Sequence, residues 1–197
     1  MLEFKNVVIS GGRQPLSFVA RPGEILAVIG AGGSGKTMLV NAVLGRQPVS
    51  KGYVTIDGEP VTAGSAPYFR KMVGYVPQNV DFPLKKVSDI VNAMIEISES
   101  RGKACTRKNV ADEMAALGVD EFFLDSDTSA ADKVLLRVVL MAVCAAMGGR
   151  LLVVDSPVDE ADARMSAALR TMALKGWAVV VTERGDYVGC DKKVELY

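Results

Sequence analysis

The chain has 197 residues, which suits one domain or one domain carrying an inserted subdomain. Its 23 basic and 23 acidic side chains cancel to a formal net charge of zero, which gives no electrostatic reason to expect nucleic acid as a partner. The apolar content of 49% excludes a disordered chain, and the absence of histidine excludes imidazole bases and histidine metal sites.

Short runs rich in β-forming residues predict seven strands. The first two have mixed character and predict a small antiparallel layer. Three later runs, those at 25, 151 and 178, are nearly continuous Ile, Leu and Val, which is typical of strands buried on both faces of a parallel sheet. In chain order the predicted strands are Leu2–Ile9, Leu16–Ala20, Ile25–Ile29, Tyr53–Ile56, Met72–Val76, Leu151–Val154 and Ala178–Thr182.

Helical patterns alternate with these strands, which predicts an α/β fold. The predicted helices are Lys36–Leu44, Val87–Glu99, Lys108–Leu117, Ala130–Met147 and Asp159–Leu174. No run between Gln78 and about Gly149 reads as a buried strand, which predicts a helical insertion. We therefore expect a single domain with a core at about 1–78 and 149–197 and a helical subdomain at about 79–148.

The compartment is predicted from the cysteines and the apolar runs. Cys105, Cys144 and Cys190 are widely spaced and include no C-x-x-C pair, so we expect reduced thiols in a cytoplasmic protein. The first residues lack the pattern of a signal peptide. The longest apolar run, Val134–Met147, contains Arg137 and is too short to span a bilayer.

A glycine-rich motif follows the strand predicted at Ile25–Ile29 and matches G-x-x-x-x-G-K-[ST]. Its glycines allow the loop to wrap so that backbone N–H groups face phosphate oxygens, and the following helix adds its positive N-terminal end. Lys36 is expected to reach the β and γ phosphates and Thr37 to bind Mg²⁺. The predicted nucleotide-binding residues of this loop are Gly30, Ala31, Gly32, Gly33, Ser34, Gly35, Lys36 and Thr37.

A second phosphate-site signal is the apolar run Leu151–Val154 followed by Asp155. A carboxylate at the end of a parallel strand lies at the sheet edge beside the loop, because the carboxyl ends of parallel strands meet there. Asp155 is therefore predicted to hold the same Mg²⁺ through water.

These motifs resemble the ATP-binding cassette family of nucleotide-binding domains, and the resemblance covers essentially the whole chain. The resemblance implies ATP and Mg²⁺ as cofactors and a glutamine, Gln78, that senses both, so that the implied metal ligands are Thr37, Gln78 and Asp155. The other stretches that carry the resemblance are Pro22–Glu24, Tyr75–Gln78, Phe82–Pro83, Val87–Ile90, Asp155–Pro157, Asp159–Asp162 and Cys190–Leu196. The resemblance implies that Cys190–Leu196 forms the last strand of the core.

Three departures from the family pattern predict impaired hydrolysis, with no catalytic residue intact. Ser156 stands where the family has a glutamate that polarises the attacking water, and a serine is no carboxylate base. Glu183 stands where the family has its switch histidine. The signature segment has become Thr128–Asp132, in which Ser129 is the predicted nucleotide contact across a dimer.

A structural alternative exists for the signature segment, because Ser129-x-x-Asp132 also matches a capping box that opens the long helix. The aromatic residue on which the family stacks adenine is also missing, since the corresponding loop reads Ser10-Gly11-Gly12.

The resemblance thus predicts an ATP-binding subunit that is at best a weak ATPase when alone and belongs to a membrane transport or envelope complex. The implied partners are a second copy or a related ATP-binding subunit in a head-to-tail dimer, and a membrane or envelope protein that docks on the helical subdomain at the inner face of the membrane. Two alternatives stay open: a regulatory or assembly protein whose ATP occupancy sets which partner docks, and a small P-loop nucleotide kinase.

Overall fold

Nine strands form two sheets in the part of the chain that the computed structural model describes, namely residues 1–9, 14–100, 102, 105–155, 162–185 and 187–197. In chain order they are β1 (Leu2–Val8), β2 (Leu16–Ala20), β3 (Ile25–Gly30), β4 (Lys51–Ile56), β5 (Glu59–Pro60), β6 (Val73–Val76), β7 (Leu151–Asp155), β8 (Ala178–Glu183) and β9 (Lys192–Leu196). The helices are α1 (Lys36–Val43), α2 (Ala66–Phe69), α3 (Val87–Ser100), α4 (Arg107–Ala116), α5 (Lys133–Ala146) and α6 (Ala163–Leu174), with a 3₁₀ turn at Glu121–Asp125.

The two sheets have the predicted character. The smaller sheet has the order β2-β1-β4-β5, and its neighbouring strands are antiparallel. The larger has the order β6-β7-β8-β3-β9, and all its strands are parallel. The α/β prediction is therefore confirmed, and the carboxyl ends of β3, β7 and β8 lie side by side at one edge.

Both faces of the parallel sheet are buried, which explains its continuous apolar strands. Successive side chains of a strand point to opposite faces. In β7, Leu152 and Val154 join the core formed with α3, α5 and α6, whereas Leu151 and Val153 join the core formed with α1 and the antiparallel sheet. No face is left for polar alternation, so the strand reads as an unbroken apolar run.

The long helix α5 begins at Lys133, later than the predicted start at Ala130, and its N-cap is Asp132. The Asp132 side chain accepts hydrogen bonds from the backbone N–H groups of Val134 and Leu135, at 2.8 and 3.1 Å. The prediction of a capping box that begins at Ser129 is therefore wrong, because the N-cap of α5 is Asp132.

The segment before α5 is tied to the chain that precedes α3. The hydroxyl of Thr128 donates to the carbonyl of Leu84, and its N–H donates to the carbonyl of Lys85 at 2.9 Å. An isolated antiparallel bridge joins Lys86 to Asp127. The N–H of Ala130 donates to the carbonyl of Asp127 at 3.1 Å, so residues 127–130 form a turn and the helix begins only after it.

The described residues between 79 and 148 form α3, α4, the 3₁₀ turn and α5, with no strand among them. The boundaries of the helical subdomain stay a prediction, since α5 also packs in the same core as the parallel sheet. Helix α6 begins at Ala163 with Asp162 as its N-cap, and the earlier start predicted at Asp159 lies outside the described residues. The short elements β5, α2 and the 3₁₀ turn were not predicted, because they are too short to show a period.

Gly45 ends α1 in the left-handed region, with φ of 61°, and Gly148 ends α5 in the same way, with φ of 70°. A Cβ at Gly45 would overlap the Cβ of Ala66 in α2, whereas a Cβ at Gly148 would meet nothing within 4 Å. The two glycines thus share the backbone requirement for glycine and differ only in the space around them.

We expect Gly45→Ala to lower the free energy of unfolding by about 2–4 kcal/mol, since it adds overlap with α2 to left-handed strain. Gly148→Ala is the matched control and should cost about 1–2 kcal/mol from strain alone. Urea denaturation followed by circular dichroism measures both values. Equal losses would show that the α1–α2 contact does not constrain this turn.

Candidate functional site

The glycine loop joins β3 to α1, and its first residue, Gly30, lies where there is no space for a side chain. Gly30 lies opposite Leu196 of β9, and a Cβ on Gly30 would come within 2.9 Å of the Leu196 carbonyl oxygen. Gly35 is the N-cap of α1 with φ of 98°, a conformation that favours glycine. No side chain caps α1, so its first N–H groups remain directed towards the loop.

The ammonium group of Lys36 lies inside this loop, and the residue is only 8% exposed. Its Nζ donates to the carbonyl oxygen of Gly30, to that of Ala31 at 2.9 Å and to Ser34 Oγ at 3.4 Å. Burial, followed by the positive charge of Arg184, lowers the pKa of Lys36. The loop thus holds a cation at the position where the motif predicts phosphate oxygens.

Two adjoining cavities open beside the loop. The smaller, of about 260 Å³, is lined by Gly32, Gly33, Gly35, Lys36, Thr37, Met38, Gln78 and Arg184. The larger, of about 500 Å³, is lined by Ile29, Gly30, Ala31, Gly32, Gly33, Ser34, Arg184, Glu195, Leu196 and Tyr197. Together they bring the eight predicted loop residues and Gln78 to one place.

Asp155 ends β7 directly opposite Thr182 of β8, and both residues are buried. The hydroxyl of Thr182 donates to Asp155 Oδ1 at 2.7 Å, so the predicted carboxylate is oriented by a neighbour that the sequence did not single out. Thr182 has a weak signal in the sequence, since it is a polar residue at the end of an apolar strand.

The oxygen groups near the loop have the chemistry that Mg²⁺ prefers. Thr37 and Gln78 line the smaller cavity, and the negative charge of Asp155 acts on Lys36. A hydroxyl, an amide oxygen and a carboxylate are hard ligands, and Mg²⁺ in nucleotide sites usually takes one or two carboxylates, substrate phosphates and water. These residues therefore fit the implied metal, although their role as ligands stays a prediction.

The segment around Gln78 is tied to helix α5. The carbonyl oxygen of Gln78 accepts a hydrogen bond from Arg137 Nη2, and Lys133 Nζ lies 2.6 Å from Asp81 Oδ1. Arg137 is buried, so its bond to Gln78 forms away from competing water. Sequence reasoning treated Arg137 only as an interruption of an apolar run and missed this connection.

Glu183 ends β8 and Arg184 follows it at the same sheet edge. Glu183 lies beside Ile29 of β3 and lines neither cavity, whereas Arg184 lines both. Sequence reasoning named Glu183 and missed Arg184. The available signal was the position of Arg184 directly after a strand that parallel pairing places beside β3.

Three positions named from the sequence do not lie at the loop in the described part of the chain. Ser156, which stands at the family's catalytic glutamate position, lies outside the described residues, as does the Ser10–Gly12 loop. Ser129 is exposed and lines neither cavity, so it is not brought to the phosphate loop of its own chain.

Asp132 of the signature segment is held by a cation. Its Oδ2 lies 2.8 Å from Arg164 Nη1, and Arg164 Nη2 lies 2.8 Å from Asp162 Oδ2. The largest single effect on the pKa of Asp132 is desolvation by burial, which raises it. The hydrogen bonds from Arg164 and from the backbone N–H groups of Leu135 and Val134 together outweigh desolvation, so the pKa of Asp132 lies below its usual value. The predicted carboxylate is therefore compensated within the chain.

No helix in the described part of the chain has the length and apolar character needed to cross a membrane.

Comparisons with known proteins identify relatives that are described as ATP-binding proteins, in agreement with a nucleotide site at the glycine loop. Residues 13–185 match the ABC transporter family. The chain is 31% identical over 81% of its length to PhnT of Salmonella typhimurium, whose name describes a 2-aminoethylphosphonate import ATP-binding protein, and covers 42% of that protein. It is 38% identical over 48% of its length to the mouse ATP-binding cassette sub-family C member 4, of which it covers 6%. The chain thus spans less than half the length of these relatives.

Two solved structures share the fold over nearly the whole chain. The ATP-binding cassette MJ1267, solved in its ADP conformation, has a TM-score of 0.82 at 16% identity, with 100% of this chain and 87% of that chain covered. The cbiO1 protein of Clostridium perfringens, part of the cbiONQ complex, has a TM-score of 0.79 at 20% identity, with coverage of 99% and 84%. Because the family match spans most of the sequence and the glycine loop lies where the fold requires it, this chain belongs to the ABC transporter family of ATP-binding domains.

Proposed function

We propose that this chain binds Mg-ATP in its glycine loop and hydrolyses it slowly unless a partner supplies the missing groups. In this proposal it is a cytoplasmic ATP-binding subunit of a membrane transport or envelope complex. The observation that carries the proposal is the cavity that brings Lys36, Thr37 and Gln78 together at the N-terminus of α1. A helix N-terminus, a cation and hard oxygen groups are the combination that a magnesium-bound triphosphate requires.

Each binding residue has a distinct task. Lys36 contacts the β and γ phosphates, and the loop N–H groups hold the remaining phosphate oxygens. Thr37, Gln78 and Asp155 hold Mg²⁺, with Asp155 acting through water and oriented by Thr182. Bound Mg²⁺ supplies charge neutralisation during phosphoryl transfer.

Slow hydrolysis follows from the residues at two positions. Ser156 has no carboxylate with which to accept a proton from water, and loss of one such base typically costs roughly 10²–10⁴-fold in rate. Glu183 replaces a group that the family uses as a donor, and its carboxylate donates nothing when ionised. Binding depends on other residues and is retained.

ATP binding is proposed to promote a head-to-tail dimer with a second copy or a related subunit. Ser129 is exposed and available to a nucleotide held by the other subunit. Asp132 would repel phosphate if its charge were uncompensated, but its ion pair with Arg164 reduces that repulsion. The proposed contact between the signature segment and the nucleotide of the other subunit is therefore retained, although it is weaker than in the family pattern.

The membrane or envelope partner is proposed to dock on the helical subdomain, where α3 and α5 meet the edge strand β6 of the parallel sheet. A cavity of about 240 Å³ opens there between the edge strand β6, α3 and α5, with apolar walls and two basic residues, Arg70 and Lys71. This groove has the chemistry to accept an amphipathic segment that carries apolar and acidic side chains. Ile97 lies in its wall and is 48% exposed.

We expect Lys36→Ala to weaken ATP affinity at least about tenfold, because a charge-assisted contact to phosphate is lost. Lys108→Ala is the matched control, since Lys108 is an exposed lysine of α4 that lines no cavity near the loop. Calorimetric titration with Mg-ATP measures both affinities, and thermal melting checks that both variants fold. Equal affinity in the two variants would contradict the proposed site.

We expect Ser156→Glu to raise steady-state ATP turnover at least about tenfold above wild type, because it restores a carboxylate base. Ser156→Ala should leave turnover at the wild-type level. Phosphate release measured at saturating Mg-ATP distinguishes them. Wild-type turnover as fast as that of the glutamate variant would contradict impaired hydrolysis.

We expect Ile97→Glu to abolish co-purification of the membrane partner. Docking would bury the new carboxylate against the apolar or acidic side chains of the partner segment, which is unfavourable. Leu174→Glu is the control, since Leu174 is 82% exposed and lies outside this groove. Affinity purification from detergent-solubilised membranes of the source cells, followed by mass spectrometry, identifies the retained protein. Retention of a polytopic membrane protein supports the transport function, whereas a soluble partner instead favours a regulatory or assembly role.

A further inference from the structure

Arg184 is the charged residue at the nucleotide cavities to which neither the motif nor the family pattern gives a role. Among the described residues that line the two cavities, Lys36 and Arg184 carry the positive charges. They occupy different positions: Lys36 is buried within the loop, whereas Arg184 is exposed at the cavity mouth. The site therefore presents two separated cations to an anionic ligand.

The guanidinium of Arg184 is available for a ligand. No ion pair or hydrogen bond to another described residue engages it, in contrast to Arg164 and Arg170, which are both held by aspartates. Lys36 is instead occupied by three oxygens of its own loop. An arginine fork matches the oxygens of a phosphate in two parallel hydrogen bonds, which a lysine cannot provide.

The position of Arg184 indicates which end of a nucleotide it meets. It shares the smaller cavity with Thr37 and Gln78, the residues that are proposed to hold Mg²⁺ near the terminal phosphates. It also follows Glu183 directly, yet Glu183 lines neither cavity. The residue that lines the cavities at the end of β8 is thus basic, whereas the sequence pattern placed the acidic Glu183 there.

We infer that Arg184 is a phosphate-binding residue whose guanidinium contacts the terminal phosphate of the bound nucleotide and favours triphosphates over diphosphates. The inference rests on the proposed function, since it assigns a ligand contact within the same site. Its physical basis is that the γ-phosphate adds negative charge at the end of the cavity where Arg184 lies. The contact stabilises ATP more than ADP, because ADP places less charge within reach.

The contact also changes the electrostatic balance at this edge of the sheet. Glu183 and Asp155 are acidic and lie close enough to act on Lys36. A second cation offsets part of that negative field for an incoming triphosphate. A triphosphate can therefore bind at this site although Glu183 places a carboxylate at the end of β8.

The test compares Arg184→Gln with wild type by calorimetric titration of Mg-ATP, Mg-ADP and tripolyphosphate. We expect affinity for ATP and tripolyphosphate to fall about tenfold, the scale of one charge-assisted hydrogen bond at an exposed site, and affinity for ADP to fall less than about threefold. Arg184→Lys should show an intermediate loss, because it keeps the charge without the fork. The slope of log affinity against log salt should also be smaller in Arg184→Gln than in wild type.

Arg107→Gln is the matched control, because it removes the same charge from an exposed arginine of α4 that lines neither cavity. Thermal melting of all variants checks the fold. If Arg184→Gln binds ATP as Arg107→Gln does while Lys36→Ala loses binding, the inference about Arg184 is overturned and the proposed function stands. An equal loss for ATP and ADP overturns the preference for the triphosphate. If wild type binds no ATP, both proposals fail together.

Discussion

The parallel pairing of β3 with β8 on one side and β9 on the other is the constraint on which the site depends. It directs the carboxyl ends of these strands to one edge, where the loop after β3 meets Glu183 and Arg184 from β8 and Leu196 from β9. Leu196 leaves no room for a side chain at Gly30, so the first glycine of the loop is required by tertiary packing alone. The loop is thus shaped by its neighbours before any ligand binds.

The electrostatics of the edge follow from that arrangement. The buried Lys36 is held by loop carbonyls, and Asp155 is oriented by Thr182, so both charges have fixed positions inside the fold. The carboxylate of Asp155 is therefore preorganised for a charged ligand. Lys36 has to exchange its contacts with the loop carbonyls for contacts with phosphate oxygens when such a ligand arrives. Arg184 at the cavity mouth adds a cation in a more solvated position, where its contribution is smaller and depends on salt.

The loop that contains Gln78 is connected to the helical part of the chain by two contacts of α5. Arg137 donates to the Gln78 carbonyl, and Lys133 pairs with Asp81. The same helix begins at Asp132, whose carboxylate is bound by Arg164 of α6. Helix α5 thus carries contacts to both the segment of Gln78 and the predicted signature segment. In the dimer proposed above, these contacts would connect the nucleotide cavity to the surface that meets the second subunit.

The sequence by itself determined the α/β class, the two kinds of sheet and the glycine loop, because these depend on local signals: unbroken apolar runs, their alternation with helices, and glycine spacing. Only the tertiary structure decided which distant side chains meet. Thr182 on Asp155, Arg137 on Gln78 and Arg164 on Asp132 join residues that are 27, 59 and 32 positions apart, and no periodicity encodes such pairs. Helix α5 starts later than the local pattern predicts, because Thr128 is bonded to the chain before α3 and Asp132 caps the helix. Local chemistry specifies each element, whereas charge placement at a site requires the elements to be packed together.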